Sequence, residues 1–131
     1  MARPAVASID LSAIQDNYKY ARELAPRSHV LAIVKANAYG HGSIPVAKKL
    51  EPLTDGFGVA CIEEALEIRS AGIKKPILLL EGHFEQSELK TISEQNFWTV
   101  IHSTEQITQL EKATLKKPIN IWLKVDIGMH R

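Results

Sequence analysis

The chain has 131 residues, of which 45% are hydrophobic and 24% are charged, and its formal net charge is +1. This composition is typical of a folded globular domain, and the nearly neutral charge argues against a nucleic-acid binder. The single cysteine, Cys61, excludes an internal disulfide and a CxxC metal site, so we expect a reducing compartment and no bound metal.

The amino-terminal segment MARPAVASIDLSAI lacks the apolar core of a signal peptide. No stretch approaches the roughly 18 consecutive apolar residues that a membrane span requires. We therefore predict a cytoplasmic protein that does not enter the membrane.

The first elements predicted in chain order are a short edge strand at residues 4–9 and a helix. Asp10 or Ser12 can cap this helix, which extends to about Ala25, where a proline follows. Tyr18 lies on the apolar stripe of the helix and is predicted to belong to the core.

After residue 26, apolar runs typical of buried strands alternate with helical patterns. The predicted strands are residues 30–34, 56–60, 76–80, 97–101 and 119–125. The predicted helices are residues 43–50 with Ser43 as cap, 62–71, 85–95, and one that begins at Ser103 with Gln106 in a capping box.

The strand ends recur at intervals of about 21 to 25 residues, the period of successive βα units. Five such units suit either an open doubly wound sheet or part of a (β/α)8 barrel, and a complete barrel needs about 250 residues. We predict one α/β domain, a partial (β/α)8 TIM barrel of about five βα units that is not closed within this chain.

The stretch VLAIVKANAYGHG, residues 30–42, places Lys35 directly after a buried strand. The carboxyl ends of parallel strands are where α/β barrels carry their chemistry. An amine at this position can form a Schiff base with an aldehyde, whereas the simpler alternative is a snorkelling lysine. A polar turn with two glycines follows, and the pattern assigns no role to its His41.

Other chemistry-bearing residues form no convincing constellation. His83, His102 and Cys61 do not recur at metal-ligand spacing. Three glutamates at positions 63, 64 and 67 are interpreted as the solvated face of a helix.

The segment AIVKANAYGHG, residues 32–42, closely resembles the cofactor-lysine motif of alanine racemases, the fold-type III enzymes that depend on pyridoxal 5'-phosphate (PLP). The resemblance implies that Lys35 holds PLP as a Schiff base and serves as one of two catalytic bases. It also implies that Tyr39 donates a hydrogen bond to the cofactor phosphate.

The segment KVDIGMHR, residues 124–131, resembles the K-x-D-[ST]-G-M-x-R segment at the end of the fifth strand in the same family. The resemblance implies that Arg131 binds the substrate carboxylate and that Lys124 is a candidate for carbamylation, which would pair it with that arginine. Ile127 stands where the family carries a hydroxyl residue. The alternative interpretation is a solvated basic pair.

The resemblance implies that residues 1–131 are the amino-terminal part of the PLP-binding barrel domain of an alanine racemase, with the carboxyl-terminal β domain absent. The full enzyme would interconvert L-alanine and D-alanine, supply D-alanine for peptidoglycan and form a homodimer. Its second base, a tyrosine, comes from a later part of the family's length. We therefore expect this chain alone to be inactive.

Three alternatives remain open. A broad-specificity PLP amino-acid racemase or a decarboxylase would use a similar barrel, although such proteins generally replace the YGHG tail. A non-catalytic PLP-binding barrel protein and a truncated product without a role are the other two. A sheet left open after its fifth strand exposes an edge and apolar faces, which predicts aggregation or pairing with another chain.

Overall fold

The computed structural model describes residues 4–130 and contains one sheet of five parallel strands. The strands are β1 (Leu31–Ile33), β2 (Gly56–Val59), β3 (Ile77–Leu79), β4 (Trp98–Ile101) and β5 (Asn120–Leu123). The helices are α1 (Leu11–Leu24), α3 (Ser43–Leu50), α4 (Ile62–Ser70), α5 (Glu88–Gln95) and α6 (Thr104–Lys112), and α2 (Lys35–Tyr39) is a single turn with unusual geometry.

Each strand pairs in parallel with the strand before it in sequence, so the spatial order is β1-β2-β3-β4-β5. Within residues 4–130, β1 and β5 do not pair with each other. Strands that add in sequence order through helical crossovers are the repeating units of a (β/α)8 barrel. The predicted α/β fold, a partial barrel that is not closed, is confirmed.

The helices cover one face of the sheet, and this face forms the core. The register aligns Ala32 of β1 with Phe57 of β2 and Ile77 of β3 in one row, and all three side chains are buried. Burial of a large side chain such as Phe57 or Ile77 contributes about 1.5–3 kcal/mol to the free energy of folding. Tyr18 of α1 also packs here, and its hydroxyl donates to Val30 O at 3.0 Å, which confirms its predicted place in the core.

The opposite face, which would be the interior of a closed barrel, has little above it. One row on this face contains Ile33, Gly58, Leu78 and Trp98. Trp122 pairs with Val100, which lies on the same face two residues after Trp98. Ile33 is 40% exposed and Trp122 is 45% exposed. The predicted exposure of apolar faces is therefore confirmed, while aggregation stays a prediction.

The caps of two helices agree with the sequence. Asp10 Oδ1 accepts hydrogen bonds from two backbone N–H groups in the first turn of α1, at 2.8 and 3.1 Å. Ser103 Oγ accepts from the Gln106 N–H at 3.2 Å, as the capping box requires on that side.

Two local predictions are wrong. Residues 4–9 form no strand, and Val6 is 91% exposed, because the segment has no neighbouring strand with which to share a ladder. Ser43 is the first residue of α3 and not its cap, since its N–H donates to Asn37 Oδ1 at 2.8 Å. The capping oxygen thus comes from the preceding loop.

Across residues 4–130, no helix has both the length and the apolar character needed to cross a membrane.

Candidate active site

An unusual backbone turn directly follows β1. In α2 (Lys35–Tyr39), Ala36, Asn37, Ala38 and Tyr39 all have φ between 50° and 55°. This is the left-handed helical region, which costs roughly 1–2 kcal/mol per residue for most L-amino acids. The sequence indicated a polar turn but not its handedness, because alanine and tyrosine have no local preference for this conformation.

Hydrogen bonds hold this turn at both ends. The Ala38 N–H donates to Val34 O at 2.9 Å, and the Gly42 N–H donates to Asn37 O at 2.9 Å. His41 Nδ1 lies 2.9 Å from Ala38 O, so the histidine, which the sequence left without a role, contacts the backbone of the turn.

Glu64 adds a contact from a neighbouring unit. Its Oε1 accepts from the Ala36 N–H at 2.7 Å, and its Oε2 accepts from the Ala60 N–H at 2.8 Å. We call this arrangement the Glu64 bridge, because one carboxylate joins the loop after β1 to the loop after β2. Hydrogen bonds to a charged group contribute about 1.5–3 kcal/mol each, so the bond to Ala36 offsets part of the strain in the turn.

The interpretation of Glu64 as part of a solvated helix face is therefore wrong. Its position in the first turn of α4 is visible in the sequence and favours a carboxylate. Its contact with Ala36 joins residues 28 positions apart, so it depends on which strands are neighbours.

A recess at the carboxyl edge of the uncovered face brings Lys35 and Lys124 together. It has a volume of about 400 Å³, and its lining also includes Glu81 and apolar side chains of β4 and β5. Lys35 is half-buried and Lys124 is exposed. Two lysines and one glutamate give this lining a formal excess of one positive charge, which favours an anionic ligand.

Glu81 is the member of this lining that the sequence did not single out. It directly follows the predicted third strand, and that position at a strand end was the available signal. The recess lies within the size range of small-molecule sites, roughly 300–1,000 Å³.

The other two predicted site residues are not part of this recess. Tyr39 does not line it, and the tyrosine side chain is 62% exposed at the end of α2. Arg131 lies outside the described residues.

The segment after Lys124 is ordered by Asp126. Its Oδ1 accepts from the N–H groups of Gly128 at 3.1 Å and His130 at 3.0 Å. These backbone hydrogen bonds hold the pKa of Asp126 below its usual value. Ile127 is 92% exposed, so the residue that departs from the family motif is not needed for this turn.

A second bridge joins the loops after β3 and β4. Gln106 Oε1 accepts from the His102 N–H at 2.9 Å, and Gln106 Nε2 donates to His83 O at 3.1 Å. We call this the Gln106 bridge. His83 is 2% exposed, and this burial lowers the pKa of its imidazole.

No group of three or more histidine, cysteine, aspartate or glutamate side chains in the described part of the chain is arranged to hold a metal ion. The fold and the recess together define a protein of the (β/α)-barrel class, with an open sheet and a recess at the carboxyl ends of its strands.

The chain belongs to the alanine racemase family, because the family model described as "Alanine racemase, N-terminal domain" matches residues 9–131. The catabolic alanine racemase of Pseudomonas putida is 58% identical over 129 residues, which cover 98% of this chain and 36% of that protein.

Solved structures support the same assignment. The biosynthetic alanine racemase of Pseudomonas aeruginosa superposes with a TM-score of 0.94 at 48% identity, over 99% of this chain and 36% of that one. Histidine racemase from Leuconostoc mesenteroides gives a TM-score of 0.82 at 27% identity, over 94% of this chain and 34% of that one. The chain thus spans little more than a third of the length of these relatives, 36% in the case of the Pseudomonas putida protein.

Proposed function

We propose that this chain carries the cofactor-lysine part of a PLP-dependent alanine racemase. The observation that supports this most directly is Lys35, which stands at the end of β1 and lines a positively charged recess. In this proposal, residues 1–131 are the amino-terminal part of the barrel domain, and the whole enzyme interconverts L-alanine and D-alanine in the cytoplasm for peptidoglycan synthesis.

The residues present fit the cofactor in part. Lys35 would hold the PLP aldehyde as a Schiff base, because this residue lines a recess of suitable size. The exposed hydroxyl of Tyr39 is accessible to the cofactor phosphate. When bound, PLP supplies the electron sink that makes the substrate Cα–H bond acidic.

The proton transfers are assigned to side chains. Lys35 would remove or return the Cα proton on one face of the substrate. Arg131 would bind the substrate carboxylate, and Lys124, as a carbamate, would pair with that arginine. Racemisation needs a second proton donor on the other face, so we expect no appreciable racemisation by this chain alone. In the full-length homodimer, that donor would be a tyrosine.

The likeness to a histidine racemase favours a second candidate, a racemase that acts on another amino acid or on several. The same Lys35 chemistry would serve either substrate. A racemisation assay with a panel of amino acids on the full-length enzyme distinguishes the two candidates.

The test of the Lys35 assignment is covalent fixation. The chain is incubated with PLP and reduced with borohydride, and the labelled lysine is located by peptide mass spectrometry. We expect labelling concentrated at Lys35, its loss in Lys35→Ala, and its retention in Lys90→Ala, which changes an exposed lysine on α5. Labelling spread evenly over the surface lysines would contradict the proposal.

A further inference from the structure

We propose that Glu64 is a positioning residue, which holds the Lys35 loop (residues 35–42) in its left-handed turn and thereby directs Lys35 toward the recess. This inference rests on the proposed function of Lys35. Glu64 lies on α4, and its side chain accepts a hydrogen bond from the backbone of the loop.

The Glu64 bridge acts at the amide next to the lysine. Ala36 N–H belongs to the peptide that joins residues 35 and 36, and its 2.7 Å hydrogen bond to Glu64 Oε1 fixes the orientation of that peptide plane. The direction in which the Lys35 side chain leaves the backbone depends on the same peptide plane. A carboxylate that orients the plane therefore constrains the direction in which the Lys35 side chain begins, and so the space that its amine can reach.

Side-chain packing does little at this end of the loop. Ala36 and Asn37 are exposed, whereas Ala38, further along the turn, is buried. Four successive residues in the left-handed region favour relaxation to another backbone conformation unless something opposes it. Hydrogen bonds to Val34 O and to Glu64 are the contacts that oppose it near Lys35.

The chemistry of the bridge requires a carboxylate. Both of its partners, the Ala36 N–H and the Ala60 N–H, are donors, and an ionised glutamate accepts through both oxygens. Glutamine would keep one acceptor and present an NH₂ group to the other N–H. Glu64→Gln should therefore free one loop with almost no change in side-chain volume.

Glu63 supplies the matched control. It carries the same charge in the same first turn of α4 but is exposed, and it makes no hydrogen bond to the Lys35 loop. Glu63→Gln removes an equal charge from the positive end of the helix dipole, so any effect of Glu64→Gln beyond it reports on the bridge.

Wild type, Glu64→Gln, Glu64→Ala and Glu63→Gln are compared by three measurements. These are hydrogen exchange of the Ala36 amide by NMR, the rate of PLP fixation at Lys35, and competitive acetylation of Lys35 by acetic anhydride. We expect exchange at Ala36 to rise and fixation at Lys35 to fall by at least about tenfold in Glu64→Ala, which removes both acceptors, as for the loss of one hydrogen bond to a charged acceptor. Glu64→Gln should do the same where its NH₂ group faces the Ala36 N–H. Glu63→Gln should match wild type.

Unchanged reactivity of Lys35 toward both PLP and acetic anhydride, in a Glu64 variant whose Ala36 amide exchanges faster, would overturn the inference, because the bridge would then be structural only. If PLP fails to label Lys35 in wild type but acetylation of Lys35 still depends on Glu64, the proposed function fails and the positioning role stands. Should Glu64→Ala fail to fold, Glu64→Gln alone decides the question.

Discussion

The Glu64 bridge and the Gln106 bridge occupy equivalent places in the fold but use different chemistry. Each side chain is the third residue of the helix that follows its strand, and each accepts an N–H four residues earlier in its own loop. Each also reaches back to the loop of the preceding strand, where Glu64 meets the N–H of Ala36 and Gln106 meets the carbonyl of His83.

The polarity of the backbone group in the preceding loop matches the type of side chain. A carboxylate suits two donors, and an amide suits one donor and one acceptor. The left-handed turn presents an N–H to Glu64, whereas the loop after β3 presents the carbonyl of His83 to Gln106. The backbone conformation of the loops after β1 and β3 thus determines which type of side chain fits each bridge.

The largest loss of stability is expected when the amide of the Gln106 bridge is replaced by a carboxylate, as in the Glu64 bridge. Gln106→Glu would place a buried carboxylate against the carbonyl oxygen of His83, and Gln106 is only 7% exposed. A buried carboxylate that keeps the His102 N–H but faces a carbonyl oxygen on its other side should lower the free energy of unfolding by about 3 kcal/mol or more, measured by urea denaturation. A loss no greater than that of Gln106→Ala would show that the polarity of the bridge is unimportant.

A smaller difference in stability is expected between alanine substitutions at two glycines, one near each bridge. Gly82 and Gly40 both have positive φ, but a Cβ on Gly82 would lie 2.4 Å from Val100 O and one on Gly40 would have nothing within 4 Å. Gly82→Ala should therefore lose about 1–3 kcal/mol more unfolding free energy than Gly40→Ala. Equal losses would mean that only backbone strain matters at both positions.

The smallest expected effect is the dependence of the unfolding free energy on pH through His83. Burial lowers the pKa of His83, nearby His102 lowers it further, and Gln109 and Glu88 partly oppose this. Because the unfolded chain, with an ordinary histidine pKa near about 6.5, takes up the proton first, the stability present above that pH is lost as pH falls below it.

The expected slope is at most about 1.4 kcal/mol per pH unit for this one proton. Urea denaturation at a series of pH values from neutral to mildly acidic should show a shallower slope in His83→Gln than in wild type. Parallel slopes would assign the pH dependence to other groups.

The strands were predictable because buried parallel strands are continuous apolar runs, and each observed strand lies inside its predicted range. The caps at Asp10 and Ser103 were predictable because they depend on residues within one turn. The predicted strand at residues 4–9 failed because a strand also needs a neighbour, which local sequence does not supply.

The site was predictable only where it coincides with strand ends. Lys35 and Lys124 follow their strands in the sequence, and parallel pairing brings those ends to one recess. The contact of Glu64 with Ala36 was not predictable, because it joins distant loops. The left-handed turn was not predictable, because it opposes the local preference of its residues.

The two tryptophans of the chain have a further consequence for experiments. Trp98 and Trp122 both lie on the uncovered face of the sheet, with ring centroids 6.2 Å apart. Intrinsic fluorescence excited at the indole band therefore arises from this face alone. Anything that covers the face, whether a second chain or a ligand, would remove water from these rings, and a blue shift in emission would report it without a label.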